Sequence, residues 1–196
     1  LQAELENLGA GDIRGWSCWD LGAHFGLYSI GLARRVGATG EVAAFEPNPR
    51  SFARLKRHRE MNRIEWLKLY EAAVSADGDG AELFTYGELD TTTTHLPYDG
   101  EQRHAQVVPL KVRTVRLDDC VRSGELRAPN FVKIDVEGHG HHAMAGMRET
   151  LRSARPILII GFHSPTELKE VMALLNPLHY SARRIGEAND TSEVEA

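Results

Sequence analysis

Cysteine is scarce in this sequence. The two present, Cys18 and Cys120, sit in or beside apolar segments with no CxxC or other metal-ligand spacing. That excludes a disulfide scaffold and a zinc ribbon, and both residues read as buried free thiols. Long apolar runs are missing too: no stretch approaches the roughly 20 residues needed to cross a bilayer. With no signal-peptide pattern either, cytoplasm is the default expectation and no membrane partner is expected. Positive charge is not concentrated enough to engage nucleic acid. The formal net charge is −5, and the one basic cluster (Arg50, Arg54, Lys56, Arg57, Arg59) lies on a single predicted helix interrupted by Glu60, so it reads as a solvated face. Internal repeats and low-complexity segments are absent.

What is present is the balance of a soluble globular chain, 42% hydrophobic and 26% charged over 196 residues, which predicts one domain spanning 1–196. Residues 1–12 read as an N-terminal segment with a short helix. Cys18–Leu21, Val42–Phe45 and Trp66–Val74 read as buried strands. Between them, Leu27–Val36 carries apolar residues on one helical face, and Pro49–Asn62 reads as a second helix with proline in its first turn. Strand, helix, strand, helix, strand predicts an α/β fold with a mostly parallel sheet and helices on both faces. Residues 77–118 break the rhythm with two alternating stretches, Ala81–Tyr86 and Gln106–Val112, around a Thr-rich loop. We expect an inserted hairpin or lid there, with Leu117–Arg122 beginning a helix. Alternation then resumes: strand Phe131–Val136, helix Ala143–Ala154, strand Pro156–Phe162, and helix Pro165–Leu175 capped by Ser164. Tyr180–Ile185 is expected as a last strand, and 186–196 as a frayed polar tail.

The sharpest local signal is Asp20-Leu-Gly22-Ala-His-Phe-Gly26 between the first strand and the first helix. Glycines at such a turn let backbone approach a ligand closely and pack helix on strand. Glu46 closes the second strand, where a carboxylate can accept hydrogen bonds from both hydroxyls of a ribose. A dinucleotide site would place a pyrophosphate near Asp20, and like charges repel. S-adenosylmethionine has no phosphate and carries a cationic sulfonium and amino group, so an acid at position 20 favours it over a dinucleotide.

The stretches WDLGAHFGLYSIGLARRVG, VAAFEPNPRSFARLKRHREMN, EAAVS, FVKIDVEGH and RPILIIGFH, in that order over residues 19–163, resemble the FkbM methyltransferases. FEPNP at 45–49 and KIDVEGH at 133–139 are the most specific blocks. The resemblance implies the Rossmann-like class I methyltransferase fold and methyl transfer from S-adenosylmethionine, usually to a hydroxyl of a small molecule or sugar. By position it implies cofactor contacts from Asp20, Gly22, Ala23 and Gly26 at the methionine end, Glu46 at the ribose, Asn48 in the adjoining loop and Ala73 near the adenine. Asp135 would face both sulfonium and acceptor. One departure stands out: related sequences often carry an acid two residues before His163, where this chain has Gly161.

Methyl transfer needs an aligned nucleophile and a base for its proton. Asp135 is the first candidate at the acceptor, with Glu137 on the same side if the strand continues. His139 and His163 are candidate bases, since histidine titrates near neutrality. A zinc site from His139, His141, His142 and His163 is not adopted, because spacing alone fixes no geometry. Magnesium on Asp135 and Glu137 is an alternative use of that pair rather than an expectation. The run Thr91–Thr94 could serve a lid. Two function classes follow: an active O-methyltransferase with a small-molecule acceptor, and a catalytically silent S-adenosylmethionine- or nucleoside-binding regulatory module. N-methylation is a narrower rival to the first. The acceptor and the oligomeric state are not legible.

Overall fold

The computed structural model describes residues 11–77, 81–86 and 107–185. In chain order the elements are β1 (Ser17–Leu21), α1 (Leu27–Val36), β2 (Glu41–Phe45), α2 (Pro49–Asn62), β3 (Leu67–Tyr70), β4 (Ala73–Val74), β5 (Ala81–Tyr86), β6 (Val107–Val112), β7 (Thr114–Val115), α3 (Leu117–Arg122), β8 (Phe131–Ile134), α4 (Gly140–Ala145), α5 (Arg148–Ala154), β9 (Ile157–Ile160) and α6 (Pro165–Leu175), followed by a 3-10 turn at Asn176–Leu178. Five strands form one sheet in the order β3-β2-β1-β8-β9, with every neighbouring pair parallel. The chain runs outward from β1 to β3, then crosses back to lay β8 on the other side of β1. The order therefore reverses between β1 and β8, the place where such sheets open a ligand crevice at the strands' carboxyl ends.

Side-chain alternation divides the core between the two faces. Cys18, Val42, Ala44, Leu67 and Phe131 pack with Leu32, Val36 and Leu55 of α1 and α2. Trp19, Leu21, Phe45, Val132 and Ile134 pack with residues of α3 to α6, among them Leu117, Met144, Leu151 and Val171. Helices cover both faces of the sheet, so β1 and β8 are buried at every residue, Asp20 and Lys133 included. Each of the fully buried Phe45 and Phe131 contributes roughly 2–3 kcal/mol through burial. Asn48 caps α2 by accepting a hydrogen bond from the Arg50 N–H at 2.9 Å, with Pro49 in the first turn as expected.

Several expected elements are shorter or divided. Trp66–Val74 is two strands: β3 ends at Tyr70, and β4 leaves the main sheet to pair with β7. Ala143–Ala154 is also two elements. The break falls at Gly146, where a Cβ would lie 2.2 Å from the Ser75 carbonyl oxygen, so another segment's backbone occupies that side of the helix. The strand expected to reach Val136 stops at Ile134, and that expected over Pro156–Phe162 is trimmed to Ile157–Ile160. Tyr180–Ile185 forms no strand beyond a bridge at Arg183, because Ser181 and residues 183–185 face solvent and leave no apolar face to pack. The inserted hairpin is present as the antiparallel pair β5–β6. The Thr-rich stretch with Thr91–Thr94, the N-terminal segment up to residue 10 and the tail from 186 lie outside the described residues. Cys18 and Cys120 are free and buried. No helix among the described residues is long and apolar enough to cross a membrane.

Candidate active site

Four strand ends converge at the β1/β8 crevice: the Gly22–Gly26 turn after β1, Glu46 after β2, Asp135–Gly138 after β8 and His163 after β9. Gly22 has φ +78, and a Cβ there would lie 1.9 Å from the Asp135 carbonyl oxygen. The glycine thus lets the first and third walls of the crevice touch backbone to backbone. Gly26, at φ +90, starts α1, and a side chain there would meet Leu55 of α2 at 2.4 Å. The N–H groups of Gly22 and Ala23 both donate to the Phe45 carbonyl, at 3.0 and 2.9 Å, locking the turn to β2.

Glu46 is 7% exposed and receives one backbone N–H on each oxygen: His24 on Oε2 at 2.7 Å and Asn48 on Oε1 at 2.8 Å. Burial pushes its carboxyl up to about 6, against the pull of those two hydrogen bonds. Each oxygen keeps a further lone pair. His24 itself has φ +50, a left-handed backbone that aims its N–H at Glu46.

Asp20 is fully buried and points to the α1 face. Ser29 donates to its Oδ2 at 2.5 Å, and Oδ1 lies 3.3 Å from the Lys133 ammonium without a hydrogen bond. Lys133, its register partner on β8, is 6% exposed. The same ammonium donates to the Gly22 carbonyl at 2.9 Å, lies 3.5 Å from Asp135 Oδ2 and sits over the Tyr28 ring. Asp20's charge is therefore met inside the protein. What a ligand senses is the group as a whole, with Asp20, Asp135 and Glu137 set against one ammonium. No motif gives the lysine a role of its own; the one signal is that it interrupts the apolar strand FVKI, where a buried cation points to a waiting carboxylate.

Asp135 and Glu137 do come together, by a different route from the one expected. Past Ile134 the chain turns rather than continuing, with Glu137 at φ +49 and Gly138 at φ +87. His163 closes the group: its Nε2 is 3.0 Å from Asp135 Oδ1, and its Nδ1 is 3.2 Å from Glu137 Oε2. Gly161 faces this cluster; a Cβ there would lie 3.0 Å from Asp135 Oδ1, so any larger residue would press on that carboxylate. Asp135, Glu137 and His163 each offer a ligand atom within 4.8 Å of the others, the one such grouping among the described residues. Lys133 already supplies Asp135 with a positive neighbour.

His139 is not gathered into this cluster. Its ring stacks on His142 at 4.2 Å. Burial, then the neighbouring His142 and His141, hold it down to about 3, which makes it a poor base at neutral pH. His141 turns to Glu170 at 3.2 Å, and His163 lies with Asp135 and Glu137 instead, so the four histidines considered for zinc form no single grouping. Ala73 is buried in β4 opposite Thr114, and Asn48 serves the α2 cap.

The family described as "Methyltransferase FkbM domain" matches residues 20–184. The hexuronic acid methyltransferase AglP of Haloferax volcanii is 28% identical over 81% of this chain and 60% of its own length. The 2-O-methyltransferase NoeI of Sinorhizobium fredii is 29% identical over 66% of this chain and 56% of its own. The chain thus spans under two thirds of either relative. Among solved structures, a methyltransferase FkbM from Methylobacillus flagellatus KT superposes with a TM-score of 0.56 at 20% identity, covering 82% of this chain and 37% of that one. That likeness establishes the Rossmann-like methyltransferase fold.

Proposed function

Because this chain belongs to the FkbM methyltransferase family, we propose that it transfers a methyl group from S-adenosylmethionine to a hydroxyl of a sugar-like acceptor. The observation that carries this is the pairing of His163 Nε2 with Asp135 at 3.0 Å in the crevice whose other wall is the doubly anchored Glu46. The names of the two curated relatives, one for a hexuronic acid and one for a 2-O position, support the acceptor class.

The site's own atoms fit the cofactor. The further lone pairs of Glu46 suit two ribose hydroxyls, and the turn from Gly22 to Gly26 lies at the same crevice beside the start of α1. Three carboxylates against one ammonium make the floor attractive to a cation. When bound, the cofactor supplies a methyl carbon already activated by its sulfonium. The protein's share is alignment and proton removal. Asp135 orients the acceptor hydroxyl, and the Asp135–His163 pair takes its proton as the oxygen attacks, with Glu137 holding the far side of the imidazole. Lys133 balances Asp135, so turnover is expected without added magnesium and in the presence of a chelator. A silent nucleoside-binding module would need Glu46 but not the Asp135–His163 pair.

The test has two arms. Calorimetry with S-adenosylmethionine and S-adenosylhomocysteine measures binding in wild type and Asp135→Asn. Transfer of a tritiated methyl group to glucuronic acid, p-nitrophenyl glucuronide and neutral glucosides measures turnover. We expect binding within a few fold in both proteins and turnover about 100-fold lower or worse in the variant. Absent binding would remove the cofactor assignment; full turnover in Asp135→Asn would remove the residue.

A further inference from the structure

The two catalytic loops are joined by a residue that belongs to neither. Glu167 lies in the first turn of α6, is 2% exposed, and splits its carboxylate between them. Oε2 accepts the N–H of His163 at 2.9 Å, and Oε1 accepts the N–H of Gly140 at 2.9 Å. In the common helix-start arrangement Ser164 would accept from the Glu167 N–H, as it does here at 3.1 Å, and the glutamate would return the favour to the Ser164 N–H. Here the carboxylate reaches one residue further back, to the candidate base, and across to the loop that follows Asp135 and Glu137. Gly140 shows how close that approach is: a Cβ there would stand 2.8 Å from Oε1.

We infer that Glu167 is a positioning residue for methyl transfer, a carboxylate brace that sets the His163 imidazole against Asp135 and Glu137. This rests on the proposed role of His163, and deepens it. A carboxylate accepts on both oxygens at once. Glutamine of the same size would point an N–H group at one of the two backbone donors, so one loop is released while volume is kept.

The experiment compares wild type, Glu167→Gln, Glu167→Ala, His163→Ala and the double variant His163→Ala/Glu167→Gln, with p-nitrophenyl glucuronide as the acceptor probe. We expect Glu167→Gln to lower kcat on the order of 10- to 100-fold, with KM for S-adenosylmethionine within about 3-fold, since misplacement of about 1 Å can cost that much. The loss should vanish in the His163→Ala background. The imidazole signals of His163 in a nitrogen-correlated NMR spectrum should move in Glu167→Gln, and this readout does not depend on turnover. Near-UV circular dichroism identifies any unfolded variant; if Glu167→Gln does not fold, Gly140→Ala, which displaces the same oxygen, takes its place. Unmoved His163 signals, or a rate loss of equal size with and without His163, would overturn the brace. Failure of wild type to bind S-adenosylmethionine would instead count against the proposed function, and the NMR comparison would still decide the role of Glu167.

Discussion

Gly22 and Gly124 share a φ of +78 but differ in surroundings: a Cβ at Gly22 would stand 1.9 Å from the Asp135 carbonyl oxygen, while at Gly124 it would meet nothing within 4 Å. Replacing each by alanine therefore separates backbone strain from steric intrusion. The left-handed conformation costs an L-residue roughly 1–2 kcal/mol, and the stiffer unfolded chain returns about 0.4–1 kcal/mol. Gly124→Ala should lose about 1 kcal/mol. Gly22→Ala pays the same and must also force β1 and β8 apart where the Asp135 N–H donates to the Leu21 carbonyl at 3.0 Å. Intrusion into close packing adds about 1–3 kcal/mol, for a total near 2–4 kcal/mol. Guanidinium unfolding measures both, with slopes compared to confirm that the unfolded states match. By melting, the shifts should be about 2–4 °C for Gly124→Ala and about 4–16 °C for Gly22→Ala. Equal losses at the two positions would refute the close backbone approach on which the crevice is built.

Other expectations concern charge. Glu46 is raised to about 6 in the fold from 4.5, so its contribution to stability is full below pH 4.5 and is lost as pH rises through 6, a swing of about 2 kcal/mol that Glu46→Gln should abolish. Glu46→Gln should also weaken S-adenosylmethionine binding at least 10-fold at pH 7.5, measured by calorimetry, whereas wild-type binding should itself fade as pH drops through about 6. His139, depressed to about 3, stabilises the fold above its ordinary 6.5 and loses that contribution as pH falls toward 3. Its ring signals should therefore stay those of a neutral imidazole from pH 7 to pH 5. Lys133→Met leaves Asp20 buried with its ammonium gone, and should cost about 3–5 kcal/mol in thermal or denaturant unfolding.

Periodicity and turn chemistry carried most of the architecture. The alternation of apolar strands with one-faced helices predicts a parallel sheet, and the glycine turn with Glu46 locates its crevice. The boundaries went astray where distant segments intervene. Nothing local to Gly146 announces that Ser75 crosses its helix, and Tyr70 and Ala73 look like one strand until a second sheet claims the latter. At the site, residue type pointed to Asp135, Glu137 and His163, yet the turn that joins the first two depends on a left-handed Glu137 that no spacing predicts. His139 looked equal to His163 on paper; stacking and burial separate them. Lys133 and Glu167 carry no motif of their own because each acts on its neighbours' backbone or charge. Only the lysine in an apolar strand and the serine-to-glutamate spacing of a helix start hinted at them.

The Lys133 ammonium touches a carbonyl of the glycine turn on one side and Asp135 on the other. A single cation thereby stitches together the half of the cleft that would hold the nucleoside and the half that would hold the sugar. The residue that cannot be changed for one half alone is the lysine: an engineer who alters it reshapes the acceptor side and the donor seat in the same step.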